Sequence, residues 1–160
     1  MADLTSIAVS SFILILPAYI ANSIPVLLKG RRPIDLGKNF SDGRRILGDG
    51  KTIEGFISGL FFGTLAGAAV GYPIHSFLLA LGALVGDIAG AFLKRRIGIP
   101  RGRPAPVLDQ LDFIMGALLF VSPLYLVTIE QLIFIILVTP PIHLFTNYVA
   151  YLFKLKPHPW

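Results

Sequence analysis

Gly82-Ala83-Leu84-Val85-Gly86-Asp87-Ile88-Ala89-Gly90-Ala91-Phe92-Leu93-Lys94-Arg95-Arg96 decides how this chain folds. It is apolar except for one carboxylate, carries Gly at every fourth position, and ends in three consecutive cations. Four-residue spacing lays Gly82, Gly86 and Gly90 along one ridge of a helix. Small residues on such a ridge let helices approach closely in lipid, where van der Waals contact replaces the hydrophobic drive. A carboxylate within such a run is costly and marks a function or a specific partner. Asp87 lies seven residues before Lys94, about 10 Å deeper along a helix, and Asp87, Ala91 and Lys94 share a face.

Working outward, all fourteen Lys and Arg residues fall in three stretches, with seven in 29–51, five in 94–103 and two in 154–156. The segments around them are apolar and about as long as a bilayer requires. They predict five spans, near 5–28, 53–71, 75–93, 113–129 and 131–153, with very short turns at 72–74 and near Glu130. Threading them places every cation on one side, which the positive-inside rule makes cytoplasmic. The expected architecture is an all-α, polytopic, single catalytic domain over 1–160, with the N-terminus outside and the C-terminus cytoplasmic. Two basic cytoplasmic loops result, loop A (29–52) and loop B (94–112), rich in Gly and Pro and therefore not long helices.

Composition agrees. Hydrophobic residues make up 54% of the chain and the mean hydropathy is +0.75, so there is too little polar sequence to coat a soluble core. The first apolar segment lacks a basic flank and is long enough to span, so it is expected to be retained rather than cleaved. There is no Cys, which excludes disulfides and thiolate metal sites. In a membrane protein the net charge of +5 reflects topogenic Lys and Arg and attraction to phosphates or anionic headgroups, not nucleic acid.

The second span repeats the glycine pattern at Gly55, Gly59, Gly63, Gly67 and Gly71. Packing between spans two and three is the expected use of both ridges. A lipid-facing wall or a homodimer seam are the alternatives.

The acids near loop B point to a site. Asp109 and Asp112, spaced i, i+3, share one face where the fourth helix should begin. They reach the membrane level of Asp87. Hard carboxylate oxygens of this kind suit Mg²⁺, which keeps waters and bridges to substrate phosphates. Asp87, Asp109 and Asp112 are therefore the candidate metal ligands. Lys94, Arg95 and Arg103 are candidate phosphate contacts, and Arg96 and Arg101 read as topogenic charge alone. In loop A, Gly48-Asp49-Gly50-Lys51-Thr52 is not a Walker A motif, because Arg45 stands where its first Gly belongs and no strand precedes it. Gly50 exposes backbone N–H groups, Lys51 stands beside them, and Thr52 is placed to cap a helix start that can hold an anion. Asn22, at the depth of Asp87, is a candidate pocket amide. His143 and Asn147, after an expected helix break at Pro140-Pro141, read as helix–helix hydrogen-bonding groups. No Ser/His/Asp arrangement and no zinc spacing is present.

Gly86-Asp87, then Phe92-Leu93-Lys94-Arg95-Arg96, then Asp109-Gln110-Leu111-Asp112-Phe113 is similar to the signature of the membrane cytidylyltransferases that make CDP-activated lipids. The short five-span chain with Gly48-Asp49-Gly50-Lys51-Thr52 resembles their archaeal branch, the CDP-archaeol synthases, over essentially its whole length. It departs from the bacterial and eukaryotic pattern at Gln110, where those enzymes carry Arg, and at Ala105-Pro106-Val107-Leu108, where they carry His-Gly-Gly. The resemblance implies a reaction between CTP and an isoprenoid glycerol-phosphate lipid, unsaturated archaetidic acid, giving CDP-archaeol and pyrophosphate. It further implies Mg²⁺ on Asp87, Asp109 and Asp112, with Lys94, Arg95 and Lys51 absorbing phosphate charge. Two rivals stand beside it. A CDP-alcohol phosphotransferase would need an Ala-Arg pair after Asp49-Gly50, where Lys51-Thr52-Ile53-Glu54 stands. A small ion-coupled transporter using Asp87 would not need Asp109, Asp112 and two basic loops on one side.

Overall fold

The computed structural model describes residues 3–159 and contains five helices: α1 (Leu4–Leu27), α2 (Ile53–Ala68), α3 (Pro73–Arg96), α4 (Leu108–Val121) and α5 (Ile129–Leu152). Three of them, α1, α3 and α5, are long and apolar enough to cross a membrane. At 24 residues each they run about 36 Å. The 16-residue α2 and 14-residue α4 run only about 24 and 21 Å.

Several predicted boundaries move, each for a local reason. α3 continues through Arg96, so Lys94, Arg95 and Arg96 form its last turn instead of opening loop B. Cations there complement the negative end of the helix dipole. The fourth helix begins at Leu108, not 113, because Asp109 and Asp112 are helical although hydropathy excludes them. It ends at Val121, ahead of Pro123, and 122–128 is an irregular connection where a continuous span was expected. Thr128 and Gln131 then start α5 with a reciprocal capping box. α2 stops at Ala68, and Gly71 takes φ +89° in the turn that follows, so it leaves the ridge. No break occurs at Pro140-Pro141. α5 runs through both prolines, and Thr139 Oγ1 donates to the Ile135 carbonyl just upstream.

The glycine ridges meet the expectation in part: the α2 ridge packs on α3 as well as on α1, whereas the ridge of α3 itself packs on α4. Gly82, Gly86 and Gly90 of α3 meet Gly116, Ala117, Phe120 and Asp112 of α4, not α2. A Cβ at Gly82 would come within 2.8 Å of the Phe120 Cβ. Gly59 and Gly63 of α2 press on the Ala21 and Pro17 carbonyls of α1, at 2.6 and 2.8 Å from an added Cβ, and on Leu84 and Ala80 of α3. The ridges are thus used within one chain. Between them lies a core of small and medium side chains, including Ala18, Ala21, Ala80, Ala83, Phe113 and Ile114. The outside is apolar instead of polar: Phe61, Leu119, Leu126, Ile129, Leu137 and Phe145 are all at least 60% exposed. So extensive an apolar exterior belongs to a membrane-embedded protein.

Loop A folds without a regular strand or helix. Isolated bridges join Pro33 to Thr52 and Asn39 to Arg45. At its centre the buried carboxylate of Asp35 accepts from the Leu47, Gly48 and Gly37 N–H groups at 3.0, 2.8 and 3.1 Å, and from Arg45 Nη2 at 2.7 Å. The Arg45 guanidinium holds the Asp35 carboxyl well below the usual carboxylate range, against the cost of burial and helped by the three N–H groups. Glu54 of α2 accepts the Arg31 and Arg32 N–H groups and pins the start of the loop.

Candidate active site

The three basic stretches converge on one cavity of about 990 Å³, lined by all five helices, both loops and the C-terminal segment. Asp87 and Lys94 reach it from α3, Asp109 from the first turn of α4, Asn22 from α1, and Gly50, Lys51 and Thr52 from the end of loop A. Arg95 and Arg103 line it as well. Of the candidate metal and phosphate contacts, Asp112 alone stands apart from this lining. Its Oδ1 accepts the Phe113 N–H at 2.6 Å, and its carboxylate lies over Gly90, which has no side chain to displace it.

Two ion pairs organise the cavity. Lys51 Nζ is paired with Asp87 Oδ2, and Lys94 Nζ with Asp109 Oδ1, all four side chains being part-buried. Each pair joins separate elements, the first loop A to α3, the second α3 to α4. Asp109 also accepts the Ala105 N–H at 2.8 Å through its other oxygen, while its own N–H donates to the Ala105 carbonyl at 2.9 Å. This reciprocal clasp is closed by Val107 at φ +70°, ψ −53°, with the Leu108 N–H donating to the Pro106 carbonyl. That is a γ-turn of the rare positive-φ kind, strained for a β-branched residue. Thr52 Oγ1 caps α2 by accepting the Gly55 N–H at 3.2 Å, as expected, so the N-terminus of α2 opens onto the cavity.

Neighbouring cations have distinct roles. Arg95 Nη1 donates to the Ile99 carbonyl at 2.6 Å, and its Nε is buried without a partner among the described residues. Arg96 turns the other way. Its guanidinium bonds Asp42 at 2.5 Å and the Arg45 carbonyl at 2.6 Å, and lies over the Phe40 and Phe92 rings, 4.7 and 5.0 Å from their centroids. Arg44 returns the contact by donating to the Arg96 carbonyl at 2.8 Å. Arg96 is therefore a latch holding loop A on the end of α3, not topogenic charge alone. Arg101 ties loop B to Asp49 of loop A at 3.6 Å.

Sequence reading missed Asp35, the Arg44–Arg96 latch and Lys156. An Asp or Arg in a polar loop gives no local signal when its partners are backbone groups far along the chain. His143 and Asn147 are also reassigned. They bond one another within α5, with Asn147 Nδ2 3.2 Å from His143 Nδ1, and both face the cavity, where Asn147 Oδ1 accepts from Lys156 Nζ at 2.8 Å. Among the described residues, no group of three or more His, Cys, Asp or Glu side chains is gathered tightly enough to form a metal cage by itself.

An apolar-sided helical bundle with paired carboxylates and cations around one large cavity defines a membrane-embedded protein with a charged internal site. Comparison with known proteins makes the class specific. A family model described as CarS-like, CDP-archaeol synthase, matches residues 4–72 and 66–160. CDP-archaeol synthase of Pyrococcus furiosus is 49% identical over 161 residues, covering 94% of this chain and 96% of its own. That of Pyrobaculum calidifontis is 50% identical, covering 95% and 98%. A solved structure described as "Structural insight into an intramembrane enzyme for archaeal membrane lipids biosynthesis" superposes with a TM-score of 0.81 at 50% identity, over 87% of this chain and 93% of its own. This chain belongs to the CDP-archaeol synthase family.

Proposed function

We propose that this protein transfers the cytidylyl group of CTP to the phosphate of an isoprenoid ether lipid, unsaturated archaetidic acid, forming CDP-archaeol and pyrophosphate. Membership of the family supports the reaction class. The observation that carries the reading for this chain is the pairing of Lys51 with Asp87 and Lys94 with Asp109 on one cavity, beside the partner-free Nε of Arg95.

The lipid phosphate is already a nucleophile, so no side chain need become one. A phosphate oxygen attacks the α-phosphorus of CTP, the bond between the α-phosphorus and the bridging oxygen breaks, and pyrophosphate leaves with the electron pair. The barrier is the approach of two anions, so catalysis is positioning and charge stabilisation. Lys51 at the N-terminus of α2, and Lys94 and Arg95 at the end of α3, are directed at the phosphates, with Arg103, Asn22, Gly50 and Thr52 completing the nucleotide contacts. Asp87 and Asp109 on the cavity wall, with Asp112 behind them, are the proposed Mg²⁺ ligands. The two wall carboxylates fit, because Mg²⁺ is commonly held by one or two carboxylates and takes its other ligands from water and substrate phosphate. When bound, the ion would neutralise charge on the triphosphate and on the leaving group. We place the protein in the cell membrane as a multi-pass enzyme with this cavity facing the cytoplasm.

The test is a radiolabelled assay of the purified protein with each of the four nucleoside triphosphates and a range of ether- and ester-linked glycerol phosphates, with and without Mg²⁺. CDP-lipid and pyrophosphate are expected only with CTP, the divalent cation and a phosphate-headed lipid. Equal use of other nucleotides, or activity untouched by chelation, would sink the reading.

A further inference from the structure

Three contacts tie α1 to α5. Gln131 Nε2 donates to Ser10 Oγ at 3.2 Å, Phe12 stacks edge-on against Phe134 at 5.5 Å, and the Tyr19 hydroxyl meets Thr139 Oγ1 at 2.9 Å. Past Tyr19 and Thr139, both helices line the cavity: Val26 and Leu27 from α1, Ile142, Val149 and Ala150 from α5, with Phe153 just beyond its end. Between them these two helices wall a wedge of the cavity that is apolar at those positions and polar at Asn22, Ser23, Thr146 and Asn147. At its wide end the C-terminal segment folds back, and a second opening of about 590 Å³ lies between Lys29 and residues 151–157.

Lys156 lines both openings. It differs from Lys51 and Lys94, which line the same cavity, and from Lys29, which lines both openings but is exposed. Lys51 and Lys94 each hold a carboxylate, whereas Lys156 Nζ donates to the neutral amide oxygen of Asn147. Its charge is therefore bonded but not balanced. Burial pushes its ammonium group down, and nearby Lys51 adds to this, while Asp109 and Asp87 oppose it. A part-buried cation facing two other cations gains most from an arriving anion. An anion with apolar chains can approach it along the wedge that α1 and α5 wall.

We infer that Lys156 is the cation that receives the lipid's phosphate monoester, with its isoprenoid chains seated between α1 and α5. This rests on the proposed reaction and names the lipid side of it, distinct from the CTP side served by Lys51, Lys94 and Arg95. Lys156 is then a specificity-determining residue for the headgroup, favouring an unsubstituted phosphate over one esterified to a bulky alcohol.

Two measurements test it. In the first, Lys156→Ala is expected to raise KM for the lipid phosphate by about tenfold, the usual loss for one charge-assisted hydrogen bond, with KM for CTP changed by less than about twofold. Lys156→Arg is expected to recover most of the loss. A rise confined to CTP, or no rise in either, overturns the inference. In the second, native mass spectrometry without CTP compares retention of a dialkyl glycerol phosphate with that of the matching phosphocholine lipid. The wild-type protein is expected to retain the phosphate lipid preferentially, and Lys156→Ala to lose the preference. Ile142→Trp, which adds bulk on the α5 wall away from the C-terminal segment, is expected to lower retention of both lipids. Unchanged retention in both variants overturns the inference even if the protein turns over. Absent CDP-lipid formation with the headgroup preference intact overturns the proposed reaction instead.

Discussion

Asp87 stands out at the scale of single residues because an apolar run offers a carboxylate nothing to bond, and the structure supplies Lys51 from 36 residues away. Asp87→Asn keeps the shape and removes the charge. We expect it to cut CDP-lipid formation by at least about a hundredfold, comparable to the loss of one key electrostatic group elsewhere, with the elution profile in detergent unchanged. Wild-type activity in that variant would remove Asp87 from the chemistry. Gly90 is as exacting for the opposite reason. An added methyl would strike the Asp112 carboxylate, so Gly90→Ala is expected to destabilise the α3–α4 contact by on the order of 1–3 kcal/mol, read as a lowered melting temperature. The acids of the site, with Lys51 and Lys94, were legible in sequence because charge is conspicuous in grease; Lys156 was not. Asp35 was not, because an acid in a polar loop is unremarkable until its backbone partners are known.

Among the structural elements, loop A is built rather than draped. Asp35 inside it is ionised and depressed, so its stabilisation is present in full above the ordinary carboxylate range, about pH 4. It fades as the pH falls below that value. Limited proteolysis of loop A at graded pH is expected to show protection lost on acidification. Asp35→Asn should weaken protection at neutral pH and flatten the dependence. The outer fastening is Arg96, set against Phe40, Phe92 and Asp42. Arg96→Ala is expected to raise KM for CTP by about tenfold through misplacement of Lys51, with faster cleavage of loop A and a milder loss than Asp87→Asn. An Arg96→Ala protein with native proteolysis and native KM would return this residue to topogenic duty. Helix existence was legible from hydropathy; helix ends were not. Asp109 and Asp112 made the start of α4 look like loop, and Lys94 to Arg96 made the end of α3 look the same.

For the whole molecule, clustering of cations in three stretches foretold one charged end, and the cavity gathers residues from all three. Which helices pair was not legible, since a glycine ridge states that something approaches closely but not what. Sidedness has a direct check. Lys29, Lys38 and Lys154 are exposed at that end. A membrane-impermeant amine reagent, read by peptide mass spectrometry, is expected to modify them in inside-out vesicles and spare them in right-side-out ones. Labelling in both orientations would break the topology.

The two lysine–aspartate pairs carry a consequence for how ligands enter. Because each carboxylate already has its ammonium, a bare cation arriving at the acids strands two lysines, and a bare polyphosphate arriving at the lysines strands two acids. A neutralised couple of the two strands nothing: it swaps partners with the protein, sign for sign. On the proposed reaction the resting cavity would discriminate against either visitor alone, and cation and nucleotide are expected to reinforce one another's affinity by the same factor in both directions.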